Sequence, residues 1–221
     1  AHSKGRHMAA TTTETAASWQ CVLADCRHRP TSGRYDMRKY WRAVAYREHQ
    51  GEPEPLVRAH AFAKVLERIG LHRHAGETIA GSRAEFVRNE LPDGITQDAY
   101  ATAVAEHDAR GQRNFQAGFD HATPDYPTLL AEGIDGIAER ARKARAGRTD
   151  PAELAFLDAV IVCLAGLSAL AERYAATSPV PDVLHHVAHK PPRTFHEALQ
   201  LVWLVHLAFV SEGRYAMALG R

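Results

Sequence analysis

Apolar residues recur along most of this chain at three- and four-residue spacing, the period of a helix, and two-residue alternation is nearly absent. The first such pattern predicts a helix from about Tyr35 to His49, after the breaker Pro30-Thr31-Ser32-Gly33. A second follows Gly51-Glu52-Pro53, with Leu56, Ala59, Ala63 and Leu66 in register and Gly70 as its stop. Residues 71–96 break the pattern: Thr78-Ile79-Ala80-Gly81 reads as a short extended piece and Leu91-Pro92-Asp93-Gly94 as a turn. Further helices are expected from Gln97 to about Arg110 and from Tyr126 to about Arg145.

Two helices stand apart. Asp150 is placed to cap the first, with Pro151 at its first position and Glu153 as a capping-box partner. From Leu157 to Leu170 it has almost no polar face, the mark of a central, buried helix. The other begins after Pro191-Pro192, with Thr194 as cap and Glu197 completing the box, and runs apolar from Leu199 to Phe209. Two such helices need a thicker shell than a short chain supplies, so they suit a piece of something larger. The fold class is mostly α, with irregular connections. Residues 1–8 read as an expression remnant and 9–33 as a polar, poorly ordered segment, leaving 34–221 as the helical region.

Composition narrows the function. Twenty-seven basic and 26 acidic residues give a net charge of +1, which makes no electrostatic case for nucleic acid or an anionic membrane. The stretches Ala159–Ala171 and Ala198–Val210 are each too short to span a bilayer. Cys21, Cys26 and Cys163 are too scattered for a disulfide framework, so a reducing, cytoplasmic compartment fits best.

Candidate chemistry is sparse. His185-His186-Val187-Ala188-His189 has zinc-like spacing but no carboxylate between its histidines, so it reads as a surface helical turn. Cys21, Cys26 and His28 lack a fourth ligand. Cys163, within an apolar run, reads as an inert thiol, and His196 and His206 as hydrogen-bonded core histidines. No metal ligand and no catalytic residue is assigned. His121 is the exception worth keeping, on a loop between Gly118-Phe119-Asp120 and Thr123-Pro124-Asp125.

Several blocks in order then carry a resemblance. Arg193-Thr194-Phe195-His196-Glu197-Ala198-Leu199-Gln200 with Leu201-Val202-Trp203 resembles the R-T-F-x-E-A-L-Q helix of the pyruvate formate-lyase domain, which defines the glycyl radical enzymes. Glu77-Thr78-Ile79-Ala80-Gly81-Ser82-Arg83 is similar to its E-x-I-x-G-N-R segment. His121-Ala122-Thr123-Pro124-Asp125-Tyr126 with Leu130, Gly133 and Gly136-Ile137 is similar to a stretch of its dehydratase-like branch. Gly51-Glu52-Pro53 with Arg58-Ala59, and the closing Gly220-Arg221, fall in the same order, so the likeness covers about residues 35–221.

The resemblance implies a parent several times longer, a radical lyase or dehydratase or a formate-lyase-like acyltransferase, with a strand barrel carrying a cysteine on one loop and a glycine on another. A radical-SAM activating enzyme installs a radical on that glycine, which generates a thiyl radical that attacks a small-molecule substrate. This sequence has no R-V-x-G-Y/F glycine motif and no cysteine in a matching context, so it is expected to bind no cofactor and be inactive alone. Its expected role is helical scaffold plus part of the substrate pocket, with His121 as the substrate-binding residue, hydrogen-bonding or protonating a leaving hydroxyl. Implied partners are the remainder of the parent polypeptide, the activating enzyme, the substrate and a second copy in a homodimer. Two departures argue against glycerol or propanediol as substrate and for a divergent subgroup. Ala216-Met217-Ala218-Leu219 stands where dehydratases often have serines, and the linker Ser178–Lys190 is short. The competing reading is a stand-alone helical binding module derived from the same family; a metal-dependent hydrolase built on the histidine cluster is a third.

Overall fold

The structure, a computed structural model, describes residues 35–71, 76–82, 90–110, 123–214 and 218. The expectations for residues 1–8 and 9–33 and for His121 fall outside them. Seven helices occupy the described residues: α1 (Met37–Glu48), α2 (Glu54–Arg68), α3 (Gln97–Ala109), α4 (Tyr126–Ala146), α5 (Pro151–Ala175), α6 (Pro181–His189) and α7 (Phe195–Ser211). The mostly-α expectation is met, and the ends fall within a few residues of those read from the pattern. At the histidine cluster, where a surface helical turn was expected, α6 is a full nine-residue helix.

Local chemistry sets the starts. Asp36, Thr96, Asp125 and Asp150 each accept a hydrogen bond from a first-turn amide of the helix they precede. At Asp150 the box is not completed: the Glu153 carboxylate sits 3.4 Å from Arg148. At α7 it is, with Glu197 N donating to Thr194 Oγ1 (3.2 Å) and Thr194 N to Glu197 Oε2 (3.2 Å).

The helix α5 is the hub, packed by α2, α4, α6 and α7. It crosses α2 where Gly166 meets Ala63 so closely that a Cβ on Gly166 would stand 2.8 Å from Ala63 Cα. Leu66, Ile69, Ile134, Leu170, Tyr174, Leu184, Leu201, Leu204 and Leu207 form the fully buried centre. Arg173 ties the two helices by donating to the last carbonyls of α2, Leu66 O (2.6 Å) and Ile69 O (2.5 Å). On the other flank α1 docks through two buried arginines: Arg38 donates to Val210 O at the end of α7 (3.2 Å), and Arg42 pairs with Glu212.

Two sequence expectations need correction. α5 is 25 residues long, about 37 Å, so it is long and apolar enough to cross a bilayer, contrary to the length argument made from its apolar stretch. Nor is it buried along its length. Leu157, Val160, Ile161, Val162, Cys163 and Leu164 are half-exposed and Phe156 is 61% exposed, whereas Leu167, Leu170, Ala171 and Tyr174 are buried. The C-terminal half is core; the N-terminal half is wall.

Candidate functional site

The blocks that carry the resemblance meet in space. Along one face of α7, His196, Gln200 and Trp203 reach the backbone of Thr78–Gly81. Gln200, fully buried, behaves like a neighbouring strand: Ala80 N donates to its Oε1 (2.7 Å) and its Nε2 donates to Ala80 O (3.1 Å). Trp203 Nε1 donates to Gly81 O (3.0 Å), and His196 Nε2 lies 2.5 Å from Thr78 O. The extended piece is thus stitched to a helix by side chains rather than by a sheet. Gly81, at φ +109°, passes so near Tyr174 and Leu207 that a Cβ would stand 2.5 Å from Leu207 Cδ1. His196 is hydrogen-bonded as expected, but from the edge of the core rather than inside it.

The start of α7 is electrostatically fixed. Arg193 Nη2 lies 2.6 Å from Glu197 Oε1, and Arg193 N donates to Oε2 (2.6 Å). The Arg193 guanidinium, with that backbone donor and nearby His186, holds the Glu197 carboxyl at about 2 against the desolvation that would raise it.

The described end of the His121 block begins α4. Asp125 Oδ1 caps Thr128 N (3.2 Å), and the Thr128 hydroxyl together with that amide lowers the Asp125 pKa. Tyr126 is buried, its hydroxyl has no hydrogen-bond partner among the described residues, and burial raises its pKa. Two turns on, Gly133 kinks α4 at φ 68°, ψ 178°, a conformation essentially reserved for glycine. The kink lets the Lys190-Pro191 backbone pass: a Cβ there would stand 2.7 Å from Pro191 N.

Pro124, Asp125, Thr128 and Leu129 edge an open groove of about 820 Å³, walled by the N-terminal half of α5, by α2 and by the end of α7. Val160, Cys163, Leu164, Phe62 and Phe209 line it, while Arg58, Arg140, Glu54 and Glu212 stand at its rim. The surface is mostly apolar and its charges are of both signs, which suits an apolar occupant with a few polar groups. Cys163 is a free thiol whose pKa burial, and secondarily Glu212, push up to about 11, so it is the inert thiol expected. His121 lies outside the described residues, as do residues 219–221 and Cys21 and Cys26.

The histidine cluster on α6 is engaged in pairing. His185 Nδ1 lies 2.6 Å from Glu172 Oε2; His189 sits between Glu172 Oε1 (3.2 Å) and Asp135 Oδ2 (3.0 Å). His186 Nε2 turns away to Pro191 O (2.9 Å). The three imidazoles fasten α6 to its neighbours and do not converge on one point. A different trio does converge, and sequence reading missed it: His49, Glu52 and His60, whose ligand atoms lie within 4.8 Å of one another. His49 and His60 belong to different helices, so no spacing motif marks them.

Comparison with known proteins places this arrangement. A family model described as pyruvate formate lyase-like matches residues 85–179 and 180–221. The chain is 36% identical over 123 residues to the 4-hydroxyphenylacetate decarboxylase glycyl radical subunit of Clostridioides difficile, covering 43% of this chain and 13% of that protein. It is 26% identical over 151 residues to the probable dehydratase YbiW of Escherichia coli, covering 58% of this chain and 19% of that one. The chain therefore spans less than a fifth of these relatives' length. In fold it resembles a Roseburia inulinivorans protein solved in a study of 1,2-propanediol dehydration, with TM-score 0.64, 19% identity, and coverage of 79% of this chain and 30% of that one. The hydroxyproline dehydratase of C. difficile gives TM-score 0.64, 17% identity, and coverage of 79% and 31%. On the family match and the ordered blocks behind it, the chain belongs to the pyruvate formate lyase-like family, that of the glycyl radical enzymes.

Proposed function

We propose that this chain is the helical N-terminal part of a larger glycyl radical enzyme of lyase type, a dehydratase or decarboxylase. In that enzyme its groove faces the remaining polypeptide and forms part of one wall of the substrate pocket. The open apolar wall carries this reading: Phe156 is 61% exposed and half-buried Val160, Leu164 and Phe209 continue the surface, while Phe195 (79%) and Leu199 (43%) are left exposed at the start of α7. Proteins that stand alone seldom leave such a face uncovered.

The radical glycine and the thiyl cysteine belong, in this reading, to the remainder of the parent, and the radical is installed by a radical-SAM activating enzyme in the cytoplasm. This chain's own contribution is positional. Gln200 and Trp203 fix the Thr78–Gly81 backbone, and the Gly133 kink seats α6 and the Pro191 turn beneath α4. His121 is assigned to hydrogen-bond, or help protonate, the substrate's leaving hydroxyl. Support for it comes from its block, whose Pro124 and Asp125 reach the groove edge.

The test uses an environment-sensitive apolar dye and size-exclusion chromatography on the 221-residue chain. The fragment reading predicts strong dye binding that falls when the remaining polypeptide is supplied. A compact, monodisperse species with no dye binding would instead favour a stand-alone binding module.

A further inference from the structure

We infer that the corner between α1 and α2 is a binding site for a divalent transition-metal ion of the zinc, cobalt or nickel type, held by His49, Glu52 and His60. None of these residues takes part in the groove. His49 is the C-cap of α1, its own N–H bonded to Ala45 O (3.0 Å). Glu52 follows in the turn that Gly51 closes at φ +94°, with Glu52 N donating to His49 O (3.3 Å). His60 comes from the second turn of α2. Tyr46, Ala45, Val57 and Ala61 pack the two helices together beneath the corner, so three ligands from two elements are held by a buried apolar cluster.

The chemistry of the donors selects the ion. One carboxylate serves both imidazoles: Glu52 Oε1 lies 2.9 Å from His49 Nδ1, and Oε2 3.6 Å from His60 Nε2. The rings stack at 3.6 Å with their planes 4° apart. Neutral nitrogen donors beside a carboxylate are the set that borderline divalent ions prefer, and two imidazoles with one carboxylate leave a coordination position open to water. Parallel rings direct their lone pairs side by side. Binding one ion therefore requires a ring to turn about Cβ–Cγ, and both side chains are partly exposed, 24% at His49 and 27% at His60. Around the trio stand Lys64, paired with Glu48 at 2.6 Å, and Glu67, charges of opposite sign that both act on His60.

The full chain, stripped of metal with chelator, is titrated with zinc chloride by calorimetry and with cobalt(II) under visible absorption. The wild type is expected to take up one ion with a tetrahedral cobalt spectrum, and H60A and E52Q each to lose it, affinity falling about tenfold or more. H185A/H189A is expected to retain it. Circular dichroism confirms that H60A and E52Q keep the helical content of the wild type; E52Q, a near-isosteric change at a 37% exposed side chain, keeps the question open to test if H60A does not fold. Uptake unchanged in E52Q, uptake abolished by H185A/H189A, or no wild-type binding tighter than about 100 μM overturns the assignment.

Discussion

Gln200 offers the sharpest test of how the family's motif helix works. Its amide satisfies both backbone groups of Ala80, and both residues are fully buried. In Gln200→Leu the side chain keeps similar bulk, but Ala80 N–H and C=O lose their partners where water cannot replace them. Each orphaned group costs about 1–3 kcal/mol, and the new apolar contact returns part of that, so a net loss of about 2–4 kcal/mol follows. Against a total stability of about 5–15 kcal/mol for an ordinary domain this is large. Gln200→Glu sharpens the argument. A carboxylate still accepts from Ala80 N–H, but faces Ala80 O at the position of the present 3.1 Å bond, and only its protonated form can donate there. Its folded-state pKa is therefore raised above the unfolded value. The variant's stability should be fullest below about pH 4 and should fall as pH rises through the raised folded value. Urea denaturation followed by far-UV circular dichroism from pH 4 to 8 measures both. A loss under about 0.5 kcal/mol in Gln200→Leu, or no pH dependence in Gln200→Glu beyond that of wild type, would refute the claim that this amide holds Thr78–Gly81.

Three other outcomes are expected. Gly133→Ala puts a Cβ into a glycine-only conformation and against Pro191 N at 2.7 Å, so it should lose about 2–4 kcal/mol in the same denaturation assay, where a normal α-helical Gly→Ala change would stabilise. Glu197→Gln should flatten acid denaturation: the carboxyl, lowered from 4.5 to about 2, contributes stability above its ordinary value that is lost as pH falls toward 2, and the variant has no such group to titrate. Cys163, with its thiol pushed up to about 11, should alkylate far more slowly at pH 8 in native protein than in urea, as read by peptide mass spectrometry; equal rates would contradict the raised pKa.

What the sequence disclosed was local. Asp150-Pro151 and Thr194-x-x-Glu197 announce helix starts because a cap is made by residues within one turn of each other. Fold class followed from periodicity for the same reason. The motif blocks pointed to the family, but not to why Gln200 and Ala80 travel together, since their bond joins segments 120 residues apart. Gly133 could not be read as a kink, because its cause is the passage of Lys190-Pro191. The apolar run of α5 told that a shell is needed, not which half of the helix this chain itself supplies. Pairwise convergence across elements, as at His49 and His60, leaves no trace in spacing. The α6 histidines show the converse, a suggestive spacing whose imidazoles are spent on Glu172, Asp135 and Pro191.

The central claim is that the chain is one part of a larger radical enzyme, and the source gene tests it most directly. Sequencing past the codon for Arg221 is predicted to find an open reading frame that continues to a cysteine loop and then an R-V-x-G-Y/F glycine motif near its end. A stop codon directly after Arg221, with no companion gene encoding those two elements, would contradict it and leave a family-derived helical module in its place.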